Sequence, residues 1–407
     1  MQTGNGQYNV GGVLLPRPFK VRRLGHFGFN LAKLEEGVRF YTQLLGFRLT
    51  DELNLSKIPE LQKMMAGLQD PRLFFTSHGS DHHALLLAHK SLGAMFGDDA
   101  GSPDVTINQI TWQLGTLEEV VNAYQFFKNK GVEIRRVGRD MPGSNWHVYI
   151  RDPDGHTIEL YYGIEQIGWT RHSKPLAMYY RRFDEVPALP QMSEAMEVED
   201  ALHKNIDITS GYRPQEDLPN TYNVGGVLLP RPFKVTRIGP VGLFVQDVGR
   251  AEAFYTELLG FAKTEEVSFR GRRCAFLRVG TEHHSLGLFP KELRQELGLS
   301  PHTSCMTFGA ELGSYEQLRS AVHFFQERGA KLVERIPPEL YPGIDYAAHV
   351  LDPDGHCVQL YYYMEQVGWD GKPRPKKHRR VVKGEWPETL DSLSDTYADQ
   401  TFQGPLG

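Results

Sequence analysis

Three polar residues stand where strands should be apolar, and their types suit one job. His26 interrupts the run RLGHFGF, Gln109 interrupts TINQITW, and Glu159 lies between Ile158 and Leu160 in TIELYY. Strand geometry sends alternate side chains to opposite faces. Ile158 and Leu160 therefore suit a face packed on a helix, and Glu159 points the other way, into whatever concavity the sheet forms. A carboxylate there is costly unless a cation or a donor meets it. Imidazole nitrogen, amide oxygen and carboxylate make a nitrogen and oxygen ligand set for a divalent metal. Three protein ligands leave open positions, the arrangement with which non-haem iron holds both a substrate and dioxygen.

The elements that must position this set follow from hydrophobic periodicity. Leu24 to Leu31 alternates like a strand, and Leu34 to Leu45 shows helical spacing through Leu34, Val38, Tyr41 and Leu45, with Gly46 as the stop. Extended stretches follow around Leu73 to Thr76 and Ala84 to Ala88. A second unit opens with the strand Ile107 to Leu114, then a capping box, Thr116-x-x-Glu119. Its helix carries Leu117, Val120, Val121, Tyr124 and Phe127 and ends at Gly131. Strands around Val132 to Arg136, His147 to Arg151 and Thr157 to Tyr162 complete it. The turn Asp152-Pro153-Asp154-Gly155 fixes the register of the last. Laying one unit on the other places His26 over Gln109, so pseudo-twofold packing brings both near one point.

The whole arrangement then recurs. YNVGGVLLPRPFKV, from Tyr8 to Val21, repeats letter for letter from Tyr222 to Val235. FYTQLLGF (Phe40 to Phe47) matches FYTELLGF (Phe254 to Phe261), and SDHHALLLA (Ser80 to Ala88) matches TEHHSLGLF (Thr281 to Phe289). RDPDGHTIELYYGIEQIGW (Arg151 to Trp169) matches LDPDGHCVQLYYYMEQVGW (Leu351 to Trp369). Order and spacing are kept, which identifies an internal duplication. Ser314-x-x-Gln317 is the second copy's capping box and Gly329 its stop. The chain thus divides into an arm (1–21), a first domain (22–169), a linker (170–235), a second domain (236–369) and a C-terminal arm (370–407), and the fold class is α+β. A doubly wound parallel sheet is disfavoured, because turns rather than helices separate the later strands of each unit.

Hydrophobic content of 40% and charge of 23% are those of a globular chain, and a net charge of −5 gives no footprint for nucleic acid. Cys274, Cys305 and Cys357 form no CxxC pair, which suits a reducing compartment. With no signal-peptide pattern and no membrane-length apolar run, a cytoplasmic protein is expected. The basic run KPRPKKHRR, Lys372 to Arg380, reads as a solvated arm. The duplicated pairs His82-His83 and His283-His284 read as structural, as do the turn residues His156 and His356. Tyr161, Tyr162 and Trp112 read first as core aromatics.

At this point a resemblance becomes specific. The FYTQLLGF helix end, the DHHALLL strand and the stretch GRDMPGSNWHVYIRDPDGHTIEL resemble the vicinal oxygen chelate superfamily, whose βαβββ modules pair into domains. Within it the type I extradiol dioxygenases are the nearest in pattern. The resemblance implies four βαβββ modules in two tandem domains. It also implies a divalent metal, Fe(II) first and Mn(II) or Zn(II) as alternatives, on His26, Gln109 and Glu159. The equivalent places in the second half read Pro240, Thr307 and Gln359, so that domain is expected to be a structural partner. Gln109 departs from the second metal histidine of the extradiol branch, although the glyoxalase branch uses glutamine. The stretch in which that branch carries a further histidine reads Gly138-Arg139-Asp140, so its acid–base role passes to His147, on one strand face with Tyr149, which matches the family's active-site tyrosine. The expected activity is extradiol cleavage of an aromatic diol with O2 by a homo-oligomer that binds neither nucleic acid nor membrane. Glyoxalase-like isomerase, epimerase or lyase chemistry is the alternative, and a non-catalytic binding protein of the bleomycin-resistance type is the third.

Overall fold

The computed structural model describes every residue except 1–5, 97–105, 140–142, 144, 168–170, 180–185, 188, 191, 335, 368–370, 380, 381, 383 and 391–407. In the first half β1 (Arg23–Leu31), β2 (Arg48–Asn54), β3 (Arg72–Ser77), β4 (Leu85–His89), β5 (Ile107–Gln113), β6 (Arg136–Arg139), β7 (Trp146–Arg151) and β8 (Thr157–Tyr162) form one eight-stranded sheet. Its order is β2-β3-β4-β1-β5-β8-β7-β6, which is two strand–helix–strand–strand–strand units joined where β1 and β5 pair antiparallel. The second half repeats the order with β9 (Val235–Val245), β10 (Ala262–Phe269), β11 (Arg272–Arg278), β12 (Leu286–Pro290), β13 (Cys305–Leu312), β14 (Lys331–Leu332), β15 (Ala347–Leu351) and β16 (Cys357–Tyr361). The α+β class and the four paired modules are as the repeats require.

Helices pack against strands of each sheet. The helix Leu117–Asn129 buries Leu117, Val120, Ala123 and Phe127 against the sheet. Burial of side chains the size of Val120 or Phe127 contributes about 1.5–3 kcal/mol each. Thr116 Oγ1 accepts from Glu119 N at 3.1 Å and Ser314 Oγ from Gln317 N at 3.2 Å, so both N-caps begin their helices as expected, while the Glu119 and Gln317 side chains accept from Lys20 N and Lys234 N of the arms. Two elements differ from the sequence reading. The helix from Leu34 splits into Leu34–Arg39 and a π-helical turn, Phe40–Leu44. The strand expected from Val132 begins at Arg136, because Val132 N is still bonded to Phe127 O at the end of the helix, 2.9 Å away.

The identical arms are β-hairpins, Tyr8–Leu15 and Tyr222–Leu229, and each ends in an arginine that crosses to the opposite domain. Arg231 donates to Thr42 O (2.7 Å) and Gln43 O (2.8 Å), and Arg17 reaches Thr256 O (3.5 Å). These carbonyls close the π-helical turns Phe40–Leu44 and Phe254–Leu258, where a cation is favoured. A Cβ at Gly260 would lie 1.8 Å from Arg17 Nη1, so glycine is required for that arginine to seat. The duplicated turns also clasp the domains. His156 Nε2 meets Ser304 Oγ at 2.8 Å and His356 Nε2 meets Thr106 Oγ1 at 2.7 Å. Trp112 packs on Phe261 at 4.8 Å and Phe27 on Phe308 at 5.2 Å, so one core runs through both halves. None of the described helices is long and apolar enough to cross a membrane.

Candidate metal centre

Strand register alone sets the centre of the first sheet. Antiparallel pairing of β1 with β5 puts His26 opposite Thr111 and Gly28 opposite Gln109. Parallel pairing of β5 with β8 sets Thr111 beside Glu159, and antiparallel pairing of β8 with β7 sets Glu159 opposite Tyr149. One row across four strands therefore carries His26, Thr111, Glu159 and Tyr149. Gln109 and His147 stand two residues along their strands and share its face. All are buried, Glu159 at 0% exposure.

Glu159 is the hub of this row. Its Oε2 lies 2.9 Å from His26 Nε2, 3.0 Å from Gln109 Nε2 and 2.9 Å from Thr111 Oγ1. Its Oε1 accepts from Asn145 Nδ2 and lies 4.0 Å from His147 Nδ1. Tyr149 Oη donates to Gln109 Oε1 at 3.3 Å, and the Arg136 guanidinium lies 4.0 Å over the Tyr149 ring. Burial by itself would raise the Glu159 carboxyl. The nearby His26, through charge and hydrogen bond, together with His147 and Tyr149, outweighs burial and brings it down to about 2. The site therefore keeps a carboxylate anion at neutral pH. All five residues singled out in the sequence meet here. Thr111 and Asn145 join them, and nothing in the sequence marked either one.

The donor set fits a divalent ion. Ligands on adjacent corners of an octahedron with bonds of about 2.1 Å lie about 3.0 Å apart. His26 Nε2 and the Gln109 amide stand at 2.9 and 3.0 Å from Glu159 Oε2, hydrogen-bond lengths that match the separation of adjacent ligands. Turning the Gln109 amide over would present Oε1 in place of Nε2. Among the described residues no group of three or more His, Cys, Asp and Glu gathers around one point; this set contains two of those types and an amide. His26 Nδ1 is buried with no hydrogen-bond partner among the described residues, so none of these gives the ring the orienting acceptor that metal-bound imidazoles usually have.

His83, set aside with its neighbour in the sequence, lies in the same cup. Its ring centroid is 4.3 Å from that of His26. Asp51 Oδ2 lies 3.2 Å from His82 Nε2, and His82 Nδ1 lies 3.0 Å from His83 Nδ1. A carboxylate only accepts, so His82 Nε2–H donates to it, and with one proton on the His82 ring its Nδ1 accepts from His83 Nδ1–H. That leaves His83 Nε2 as an unprotonated acceptor without a partner among the described residues. Burial, reinforced by His26 and His82, holds the His83 imidazole well below its ordinary range, so it is neutral. Gly143, at φ +94°, closes over the pair, where a Cβ would lie 3.1 Å from His83. The Asp51 link spans the sheet edge, and sequence spacing does not reveal it. Tyr161 also faces the cup, 5.0 Å from His26, while Trp112 belongs to the core. Asp140 lies outside the described residues.

The second cup is different. Gln359 stands opposite His349, their Nε2 atoms 3.1 Å apart, and burial takes His349 down to about 3. Gly309 stands beside Gln359 in this row where the first has Thr111, Thr307 lies two residues along its strand as Gln109 does, and the row has no carboxylate.

Comparison with known proteins agrees with this architecture. The profile of the Glyoxalase/Bleomycin resistance protein/Dioxygenase superfamily matches residues 23–160 and again 237–360. Catechol-2,3-dioxygenase of Bacillus subtilis is 23% identical over 265 residues, covering 65% of this chain and 73% of its own. The fold is similar to that of a halotolerant catechol dioxygenase, with TM-score 0.51, 14% identity and coverage of 87% and 91% of the two chains. It is equally similar to the Mn(II)-bound glyoxalase from Novosphingobium aromaticivorans, with TM-score 0.52, 13% identity and coverage of 93% and 92%. Two profile matches, one on each sheet, make the chain a member of the Glyoxalase/Bleomycin resistance protein/Dioxygenase superfamily, built as two tandem domains.

Proposed function

We propose that the first domain holds a divalent metal, Fe(II) foremost, on His26, Gln109 and Glu159, and cleaves a catecholic ring with O2 in the extradiol manner. The observation that carries the reading is the convergence of His26 and Gln109 on one oxygen of an ionised, buried Glu159 at ligand spacing. The metal, when bound, supplies the charge that lowers the pKa of the catechol hydroxyls and the open positions that bring both reactants together. The chain's own residues do the rest. His83 Nε2, neutral and unprotonated, takes a substrate proton, with Asp51 and His82 holding its tautomer. Tyr149 and His147 hydrogen-bond the substrate from β7 and return a proton, and Arg136 over the Tyr149 ring keeps that phenol in place. The buried cup excludes water from these transfers.

The glyoxalase-like reading is favoured by one feature, the amide of Gln109 where the extradiol pattern has imidazole. Reconstitution with Fe(II), Mn(II) or Zn(II) separately, followed by oxygen uptake over a panel of catechols, separates the two. Uptake with Fe(II) that is lost in Glu159→Ala supports ring cleavage. Metal bound through Glu159 with no uptake on any diol supports redox-neutral chemistry. A cytoplasmic homo-oligomer belongs to the same proposal, and the three buried free thiols suit a reducing compartment.

A further inference from the structure

The second domain has no carboxylate in its central row, yet beside Pro240 it holds a cavity of about 220 Å³. Comparison of the two halves shows how its lining changed. In the first domain the exposed Arg23 is paired, donating to Gln113 Oε1 and, at 3.1 Å, to Asp81 Oδ2. In the second, register sets Arg237 opposite Glu311 as it sets Arg23 opposite Gln113, and Glu282 takes the place of Asp81, each bridging to the matching Gln366 or Gln166. A neutral amide has become a second carboxylate. Arg237 reaches Glu282 Oε2 only at 3.6 Å, and the Glu311 carboxylate accepts no hydrogen bond from the described residues. Burial raises the Glu311 carboxyl, Arg237 opposes that, and Glu282 adds to it.

His284 lines the same cavity and is 4% exposed. Its Nδ1 faces His283 Nδ1 at 3.1 Å, and its Nε2 has no hydrogen-bond partner among the described residues. Burial holds this imidazole neutral. The polar side of the cavity therefore sets two carboxyl groups and an imidazole against one guanidinium, an excess of one negative charge when both carboxyls are ionised. The other side is apolar, formed by Leu24, Ile238, Pro240 and Met364.

We propose that this cavity binds a small organic monocation, a primary ammonium on a compact apolar body. An ammonium has three donors, and the Glu311 and Glu282 carboxylates supply acceptors while the charge offsets the excess carboxylate. The volume lies between the roughly 150 Å³ that admits a benzene ring and the ~300 Å³ at which drug-sized sites begin. The site is separate from the first cup and does not depend on the chemistry proposed there.

Isothermal titration of the full chain with benzylammonium tests it, with benzyl alcohol as the uncharged control of the same shape. The expected result is one benzylammonium per chain, bound at least about tenfold more tightly than the alcohol, a gap of about 1.4 kcal/mol. Glu311→Gln should weaken the amine about tenfold or more, and Glu159→Gln in the first cup should leave it unchanged. Failure of benzylammonium to saturate at millimolar concentration, or equal affinity for amine and alcohol, overturns the proposal. So does an affinity unmoved in folded Glu311→Gln. If that variant does not fold, the comparison of amine with alcohol on the native chain decides alone.

Discussion

Tyr41 in the first domain donates its hydroxyl to Asp352 Oδ2 in the second, 3.0 Å away, and Tyr255 in the second domain donates to Asp152 Oδ2 in the first, also at 3.0 Å. The duplication is thus locked by a reciprocal pair of phenol–carboxylate bonds, both buried. Burial and the facing carboxylate raise both phenols well above their ordinary range, so they remain donors. Tyr41→Phe removes one donor while His356 and two backbone N–H groups still hold Asp352. The expected cost is about 1–3 kcal/mol of unfolding free energy, read from urea denaturation. A loss below about 0.5 kcal/mol would mean the bond contributes nothing beyond solvation.

Asp51 acts on the site only through His82 and His83. In Asp51→Asn an amide that can donate replaces a carboxylate that cannot, so the tautomer of His83 is no longer fixed. Nitrogen NMR of labelled histidines should show His83 Nε2 unprotonated in the native chain and mixed in the variant. With turnover established, kcat should fall by about 10²-fold or more while KM changes little. A native His83 protonated on Nε2 would disprove the relay.

Gln109 is the weakest of the proposed ligands. Gln109→His should tighten metal binding about tenfold or more, and Gln109→Ala should loosen it by a similar factor. Competition titration against a chelating dye reads both. Equal affinity in all three chains would remove Gln109 from the ligand set.

The C-terminal arm gives a pH-dependent contact outside the first cup. Burial acts to raise the Glu265 carboxyl, but hydrogen bonds from His283 and Arg379 outweigh it and bring it down to about 2. A depressed carboxyl contributes stability that is complete above the ordinary carboxylate range near 4.5 and is lost as pH falls toward 2. Protection of residues 372–379 against hydrogen exchange, taken relative to the intrinsic amide rate at each pH, should therefore fall between about pH 4.5 and 2 in the native chain. In Glu265→Gln that protection should be low and nearly independent of pH over the same range. Protection that survives at pH 2 would show that the arm is held by something other than this carboxylate.

Much of this was legible in the letters because the duplication supplied a second copy of every signal. Apolar alternation around Glu159 fixed which way it points, and the shared unit pattern laid His26 over Gln109 before any coordinates. Strand β2 was not read, because at the sheet edge its RLTDELN run has no clean apolar alternation. Nor did the arms declare themselves as hairpins with crossing arginines, since Arg17 and Arg231 find carbonyls some two hundred residues away. His83 was set aside because the second half repeats it. Its contact with His26 depends on how β4 lies beside β1, a matter of three-dimensional register rather than spacing.

The most direct test of the proposed centre is metal stoichiometry by anaerobic Fe(II) titration of the native chain, His26→Ala and Glu159→Ala, each checked for folding by circular dichroism. The account predicts one equivalent of tightly held metal per native chain and none in either variant. Folded variants that retain the full equivalent, or a native chain that binds none, would contradict it.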